Sequence, residues 1–168
     1  QVARLDGVKN IKMTIRAAQK LSETRRDVLF LIAGDGEELN DLKKLAKELK
    51  VEDMIVFLGF VKENMSFFNA IDLNILTSLS ESFPYVILEA SKMKKATIAT
   101  NVGGINELIR DGVDGYLIDS NDYNNLAKHI GYLANNKGES IEMGNSIYNR
   151  VKESFSTESM ARTQIEIY

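Results

Sequence analysis

Along the chain, short runs of aliphatic and β-branched residues alternate with longer stretches whose apolar positions recur every three or four residues. The short runs are Asp27–Ala33, Met54–Leu58, Leu73–Thr77, Ala96–Thr100 and Gly115–Ile118. Each is continuously apolar rather than alternating, as strands buried on both faces are. The longer stretches predict helices over Asn10–Leu21, Glu37–Leu49, Glu63–Ala70, Tyr85–Met93, Ile105–Arg110, Tyr123–Asn135 and Ser140–Ser154. The first few residues read as the end of another strand. Strand and helix in regular alternation predict the α/β class, with a doubly wound parallel sheet covered by helices on both faces. A final segment, Ser156–Tyr168, is amphipathic and starts at a cap, Ser156 or Thr157.

Composition narrows the picture little but excludes several classes. The 168 residues contain no linker-like or low-complexity tract and no internal repeat, so they predict one domain. A hydrophobic content of 44% and a charged content of 27% are those of an ordinary water-soluble domain. No apolar run approaches the roughly 18 residues of a membrane span, and no signal peptide is expected within these residues. The absence of cysteine excludes disulfide and thiolate chemistry. A net charge of −3 argues against nonspecific nucleic-acid binding. Because the chain opens on Gln1 in what reads as the end of a strand, it is expected to be a piece of a longer protein.

The most informative local feature is a pair of glutamates, Glu81 and Glu89, with the single proline, Pro84, between them. Glu81 follows the strand-like run Leu73–Thr77, and Glu89 is expected about two turns into the next helix, with Pro84 at the first helical position. In open α/β sheets this strand-to-helix edge is where ligands bind. Carboxylates accept paired hydrogen bonds from vicinal hydroxyls, which points to a sugar or a ribose. Glu89 is flanked by Val86, Ile87, Leu88, Ala90 and Met93, so its carboxylate needs a partner. Glu81 could equally be a loop residue that favours a helix N-terminus.

The run Glu81-Ser82-Phe83-Pro84-Tyr85-Val86-Ile87-Leu88-Glu89-Ala90, followed by Ala99-Thr100-Asn101-Val102-Gly103-Gly104-Ile105-Asn106-Glu107, resembles the donor-binding domain of the group 1 retaining glycosyltransferases of GT-B fold. The resemblance extends to Ala3-Arg4-Leu5-Asp6-Gly7-Val8-Lys9-Asn10, similar to an R-L-D-x-x-K segment, and to Ala33-Gly34-Asp35-Gly36 and Phe57-Leu58-Gly59-Phe60. It covers nearly the whole chain, with the four pieces in the family's order.

The resemblance implies a Rossmann-like C-terminal half of a GT-B enzyme, spanning residues 1–168 as a single donor-binding domain. Segment 156–168 would be a closing helix packed on an N-terminal domain. The implied reaction moves a hexosyl unit from a nucleoside diphosphate sugar to an acceptor with retention, in carbohydrate biosynthesis. No cofactor or metal is implied, since no carboxylate or histidine cluster has metal-ligand spacing. Arg4 and Lys9 would grip the diphosphate and, with Glu81, carry the catalysis. Two fixed cations can stabilise charge on a departing diphosphate without a metal. Val61 and Lys62 would meet the base through backbone groups, and Glu89 would hold the ribose. Ser82, Phe83, Pro84 and Tyr85 would offer backbone N–H groups at the helix entrance. The family often has glycine where Pro84 stands, and proline removes one such donor. Tyr85 either points into the site or packs beside it.

The partners implied are the nucleotide-sugar donor and the acceptor domain of the same parent chain. The location implied is cytoplasmic, with peripheral membrane contact left open through that other domain. The fragment alone is expected to be inactive, because half of the cleft would be absent. Each motif also has a plainer reading. Arg4 and Lys9 alone are also consistent with solvated surface charges. Gly34-Asp35-Gly36 and Gly103-Gly104 are consistent with simple turns, and Leu39 stands where a third glycine of a dinucleotide-binding motif would be. Phe57 and Leu58 are expected in the core. His129, the single histidine, lies far from every motif and is not expected to be catalytic. Two other functions remain open: a GT-B relative such as a sugar phosphorylase or nucleotide-sugar epimerase, and a non-catalytic nucleotide-binding module.

Overall fold

A computed structural model describes residues 1–154. The strands are β1 (Phe30–Ala33), β2 (Ile55–Gly59), β3 (Leu73–Leu76), β4 (Ala96–Thr100) and β5 (Gly115–Ile118). The helices are α1 (Ile11–Ser22), α2 (Leu39–Glu48), α3 (Asn64–Ala70), α4 (Tyr85–Lys92), α5 (Ile105–Leu108), α6 (Tyr123–Asn135) and α7 (Lys137–Ser154). All strand pairing is parallel, β1 with β2 and β3-β4-β5 in order. The two groups meet across the first residues of the chain. Val2 bridges Ala33 in parallel. The Gln1 backbone nitrogen donates to the Leu31 carbonyl at 2.8 Å, and its side-chain amide donates to Thr77 Oγ1 at 3.0 Å. The first residues do therefore act as the end of a strand, beside β1 and opposite the end of β3.

Successive strand residues feed opposite faces, as the pleat requires. Phe30, Ile32, Ile75 and Ile98 join α1, α2 and α6 in one core. Their neighbours Ala33, Leu76 and Ala99 join α3, α4, α5 and α7 on the other side. The doubly wound α/β prediction is thus met in architecture, while several boundaries move. β1 begins at Phe30 because pairing with β2 begins there, and Leu29 is 56% exposed. β2 begins one residue later than expected, since Met54 closes a short 3-10 turn. α5 stops at Leu108, where Ile109 turns extended. α7 begins at Lys137, not Ser140. Leu58 is not core: among the described residues β2 has a neighbour on one side only, and Val56 and Leu58 are 37% and 45% exposed. Phe57 is half-buried against the core as expected. The predicted helix at 156–168 lies outside the described residues. Among the described residues, no helix is long and apolar enough to cross a membrane.

Candidate functional site

Arg4, Lys9, Gly34, Gly36, Val61, Lys62, Glu81, Ser82, Phe83, Gly103 and Gly104 lie on loops at the carboxyl ends of the parallel strands, and Tyr85 and Glu89 lie in the helix that follows one of them. The first loop, residues 4–10, is shaped by Asp6. Its Oδ1 accepts from the backbone amides of Val8 and Lys9, both at 3.0 Å, and its Oδ2 pairs with Arg4 Nε at 2.5 Å. Burial works against the charged form. The Arg4 guanidinium and the two amides outweigh it and hold the Asp6 carboxyl below the usual carboxylate range. Asp6 therefore ties the Arg4 side chain to the Lys9 backbone. The Arg4 side chain remains 76% exposed.

Lys9 and Glu81 meet. Lys9 Nζ lies 2.5 Å from Glu81 Oε1, across 72 residues of sequence, with side chains 26% and 11% exposed. Ser78, fully buried, donates from Oγ to the same oxygen at 2.6 Å. The backbones of the two loops are also tied. The Leu79 amide donates to the Val8 carbonyl at 2.8 Å, and Thr77 Oγ1 donates to the carbonyls of Lys9 and Asn10 at 3.0 and 3.1 Å.

Glu89 is the fifth residue of α4, one turn from its start rather than two. Its Oε2 accepts from Asn64 Nδ2 at 3.1 Å, at the start of α3. That bond supplies the partner its apolar neighbours demand. Pro84 occupies the N-cap of α4 with extended backbone (φ −80°, ψ 96°), not the first helical position. Its ring is buried, while Ser82 and Tyr85 are exposed and Phe83 is half-buried. Tyr85 is 74% exposed and makes an edge-to-face contact with Phe83 at 6.0 Å, so it lies on the rim rather than in the core. Val61 packs against the cluster of Ala33, Phe67, Phe68 and Ala90, whereas Lys62 is exposed.

The two glycine pairs are not simple turns. A Cβ on Gly34 would lie 1.8 Å from the Ala3 carbonyl oxygen, and one on Gly36 would lie 2.3 Å from that of Leu5. A Cβ on Gly103 would lie 1.6 Å from the Glu81 carbonyl oxygen, and one on Gly104 would lie 2.3 Å from that of Ser82. Each pair is a shelf on which a loop bearing a candidate site residue rests, Arg4 on one and Glu81 on the other. His129 sits on α6, stacked on Tyr116 at 3.9 Å. A cavity of about 570 Å³ lies at the opposite, amino-terminal edge of the strands, between Phe30, Leu31 and Leu73, and includes none of the predicted site residues. Among the described residues, no three His, Cys, Asp or Glu side chains are grouped to hold a metal ion.

Sequence reasoning missed Asp6, Ser78 and Asn64 as contacts of the site. Ser78 carried a faint signal, being a hydroxyl three residues before Glu81 at the end of a buried strand. Asn64 carried none, since its partner is 25 residues away.

The arrangement offers two cationic side chains, two carboxylates and an exposed helix entrance on one sheet edge, which suits a phosphorylated sugar. Comparison with known proteins points the same way. Residues 1–152 match the family model described as glycosyl transferases group 1. N-acetyl-alpha-D-glucosaminyl L-malate synthase of Bacillus anthracis is 33% identical over 161 residues, covering 96% of this chain and 42% of that protein. Among solved structures, Anabaena Alr3699/HepE in complex with UDP-glucose superposes with a TM-score of 0.88 at 26% identity, over 99% of this chain and 47% of that one. The C-terminal domain of a glycosyl transferase group 1 family protein, LpcC from Francisella tularensis, superposes with a TM-score of 0.84 at 24% identity, over 93% of this chain and 85% of that one. The chain spans 42% of the length of its Bacillus anthracis relative, and its doubly wound sheet is the Rossmann-like half of the GT-B fold. The chain belongs to the group 1 glycosyltransferases.

Proposed function

We propose that this domain binds the nucleoside diphosphate sugar of a retaining hexosyltransferase. The observation that carries the reading is the Lys9–Glu81 pair, which brings the 4–10 loop and the loop after β3 together over one point. In this reading Arg4 and Lys9 take the diphosphate. As the bond from the sugar to the diphosphate breaks, its electron pair stays on the departing phosphate oxygen, and the two cations stabilise the charge that builds there. The sugar carbon gains oxocarbenium-like positive charge, and Glu81 orients the ring by accepting from its hydroxyls. Glu89, braced by Asn64, accepts from the ribose hydroxyls. The base lies along Val61 and Lys62, and the helix entrance at exposed Ser82 and Tyr85, beside half-buried Phe83, faces the sugar and phosphate oxygens. No side chain of this domain serves as a covalent nucleophile. The acceptor would be held by another domain of the parent protein, and the cations of the site remove the need for a divalent metal. Because HepE was crystallised with UDP-glucose, uridine diphosphate sugars are the first donors to test.

The test is a panel of nucleotide sugars titrated into the full-length protein, with transfer to an acceptor and the anomeric configuration of the product both followed. Saturable, donor-selective transfer with retention supports the reading. Phosphate-dependent turnover or release of an epimerised nucleotide sugar overturns it in favour of other GT-B chemistry. The absence of any nucleotide binding overturns it altogether.

A further inference from the structure

We infer that Ser78 is a positioning residue for Glu81, holding that carboxylate in its working orientation once the donor has engaged Lys9. The inference rests on the role given to Glu81 above and adds a residue to it. Without a ligand, Glu81 Oε1 has two donors, Lys9 Nζ at 2.5 Å and Ser78 Oγ at 2.6 Å. They differ in kind. Lys9 is a mobile ammonium on a four-carbon stem, and a diphosphate presents it with more negative charge than one carboxylate does. When Lys9 turns to the phosphates, Glu81 loses a donor at the moment its geometry matters.

Ser78 stays in place. Its side chain has a single rotor, it is fully buried, and its backbone is clamped from two sides. Thr100 Oγ1, at the end of β4, donates to the Ser78 carbonyl at 2.6 Å. The preceding residue, Thr77, is tied through its hydroxyl to the carbonyls of Lys9 and Asn10. The Ser78 hydroxyl is thus a fixed point referred both to the central sheet and to the diphosphate loop. A short hydrogen bond from a neutral donor to a carboxylate is strong and directional. It selects which Glu81 oxygen is engaged and restricts the rotamers of a side chain that would otherwise be free to swing.

The experiment uses the full-length enzyme with Ser78→Ala, Glu81→Ala and the double variant. Each is compared in kcat, in KM for the donor, in affinity for the nucleoside diphosphate and in melting temperature. Ser78→Ala is expected to lower kcat roughly ten- to hundredfold, as a misplaced group does, and to leave nucleoside diphosphate affinity within about twofold. On the Glu81→Ala background it should change nothing further, because its route to catalysis is gone. If Ser78→Ala melts well below the wild type, Ser78→Cys, which fills the same space with a weak donor, is read in its place with the same expectation. A normal kcat for the Ser78 variants beside a crippled Glu81→Ala overturns this inference alone. Losses that multiply in the double variant show a merely structural serine and also overturn it. Normal turnover of Glu81→Ala removes the reading of Glu81 itself.

Discussion

Replacing Gly103 by alanine tests whether the loop bearing Glu81 is set from below by the glycine shelf. Gly103 has φ +54°, in the left-handed region, where a Cβ costs roughly 1–2 kcal/mol. The new atom would also lie 1.6 Å from the Glu81 carbonyl oxygen. Ordinary contact needs roughly 3.5 Å, so the loop or the glycine turn must retreat by about 2 Å. That retreat sacrifices the hydrogen bond from the Gly104 amide to the same oxygen, now 3.3 Å long, worth about 0.5–1.5 kcal/mol. Together these give a loss of roughly 1.5–3.5 kcal/mol, or about 3–14 °C in melting temperature for a domain of this size. Circular dichroism of the domain gives the stability, and transfer by the full-length enzyme gives the activity. Turnover should fall further than stability suggests, because a shift of about 1 Å at a catalytic group can cost roughly a hundredfold. Gly138→Ala is the control: it sits at the start of α7 with nothing near its added Cβ, and it should be neutral or stabilising. A Gly103→Ala protein that melts and turns over like the Gly138→Ala control would refute the shelf and the argument built on it.

Other expectations are independent of the shelf. Glu89→Ala should weaken nucleoside diphosphate binding by about 1–3 kcal/mol through lost ribose hydrogen bonds; equal affinities in calorimetry would sink the ribose assignment. In the full-length enzyme Lys9→Ala should cut turnover steeply while chelators leave the wild type active. Activity abolished by chelation and restored by magnesium, with Lys9→Ala near normal, would show the leaving-group chemistry to be wrongly assigned. Asp114 is fully buried, and burial opposes its charge. Two hydrogen bonds from Arg110, with Ser146 and a backbone amide, still hold its carboxyl below the usual range. A depressed folded-state value means stability that is complete above the unfolded value, near 3.9, and is lost as pH falls through the folded one. Asp114→Asn should therefore destabilise the domain at neutral pH and flatten the acid side of its stability profile in urea titrations. An unchanged profile would contradict the assignment.

What the sequence made legible followed from local periodicity. β3, β4 and β5 are continuous apolar runs because they are covered on both faces, and their positions came within a residue of the prediction. β2 misled at Leu58, because the apolar run does not say that, among the described residues, one of its sides has no neighbouring strand. Pro84 was one position out, since ring geometry suits both the N-cap and the first helical turn, and only the extended ψ of 96° separates them. The charged residues of the site were legible through their resemblance to a motif. Their mutual arrangement was not. The Lys9–Glu81 contact spans 72 residues and the Asn64–Glu89 contact spans 25, and only the sheet order brings them together. The glycine pairs were ambiguous for a related reason: close approach of a distant backbone leaves no trace beside the glycine itself.

The Lys9–Glu81 pair also bears on how the site waits for its ligand. A partly exposed ion pair contributes about 0–1 kcal/mol to stability at best, so holding the fold together is a poor reason for its presence. The fold is instead secured by the two apolar cores and, at α5 and α7, by the buried Asp114 cluster. What the pair does is keep a cation and a carboxylate at the same point without leaving either unsatisfied, with Asp6 and the Thr77 hydroxyl fixing the Lys9 backbone and Ser78 holding the Glu81 carboxylate. Under the proposed function, a diphosphate sugar arriving there would meet both charges already in position. The cation would exchange a carboxylate for phosphate oxygens, and the carboxylate would be released toward hydroxyls. The ordering cost is then met during folding, which is the condition under which electrostatic groups favour a transition state over a bound substrate.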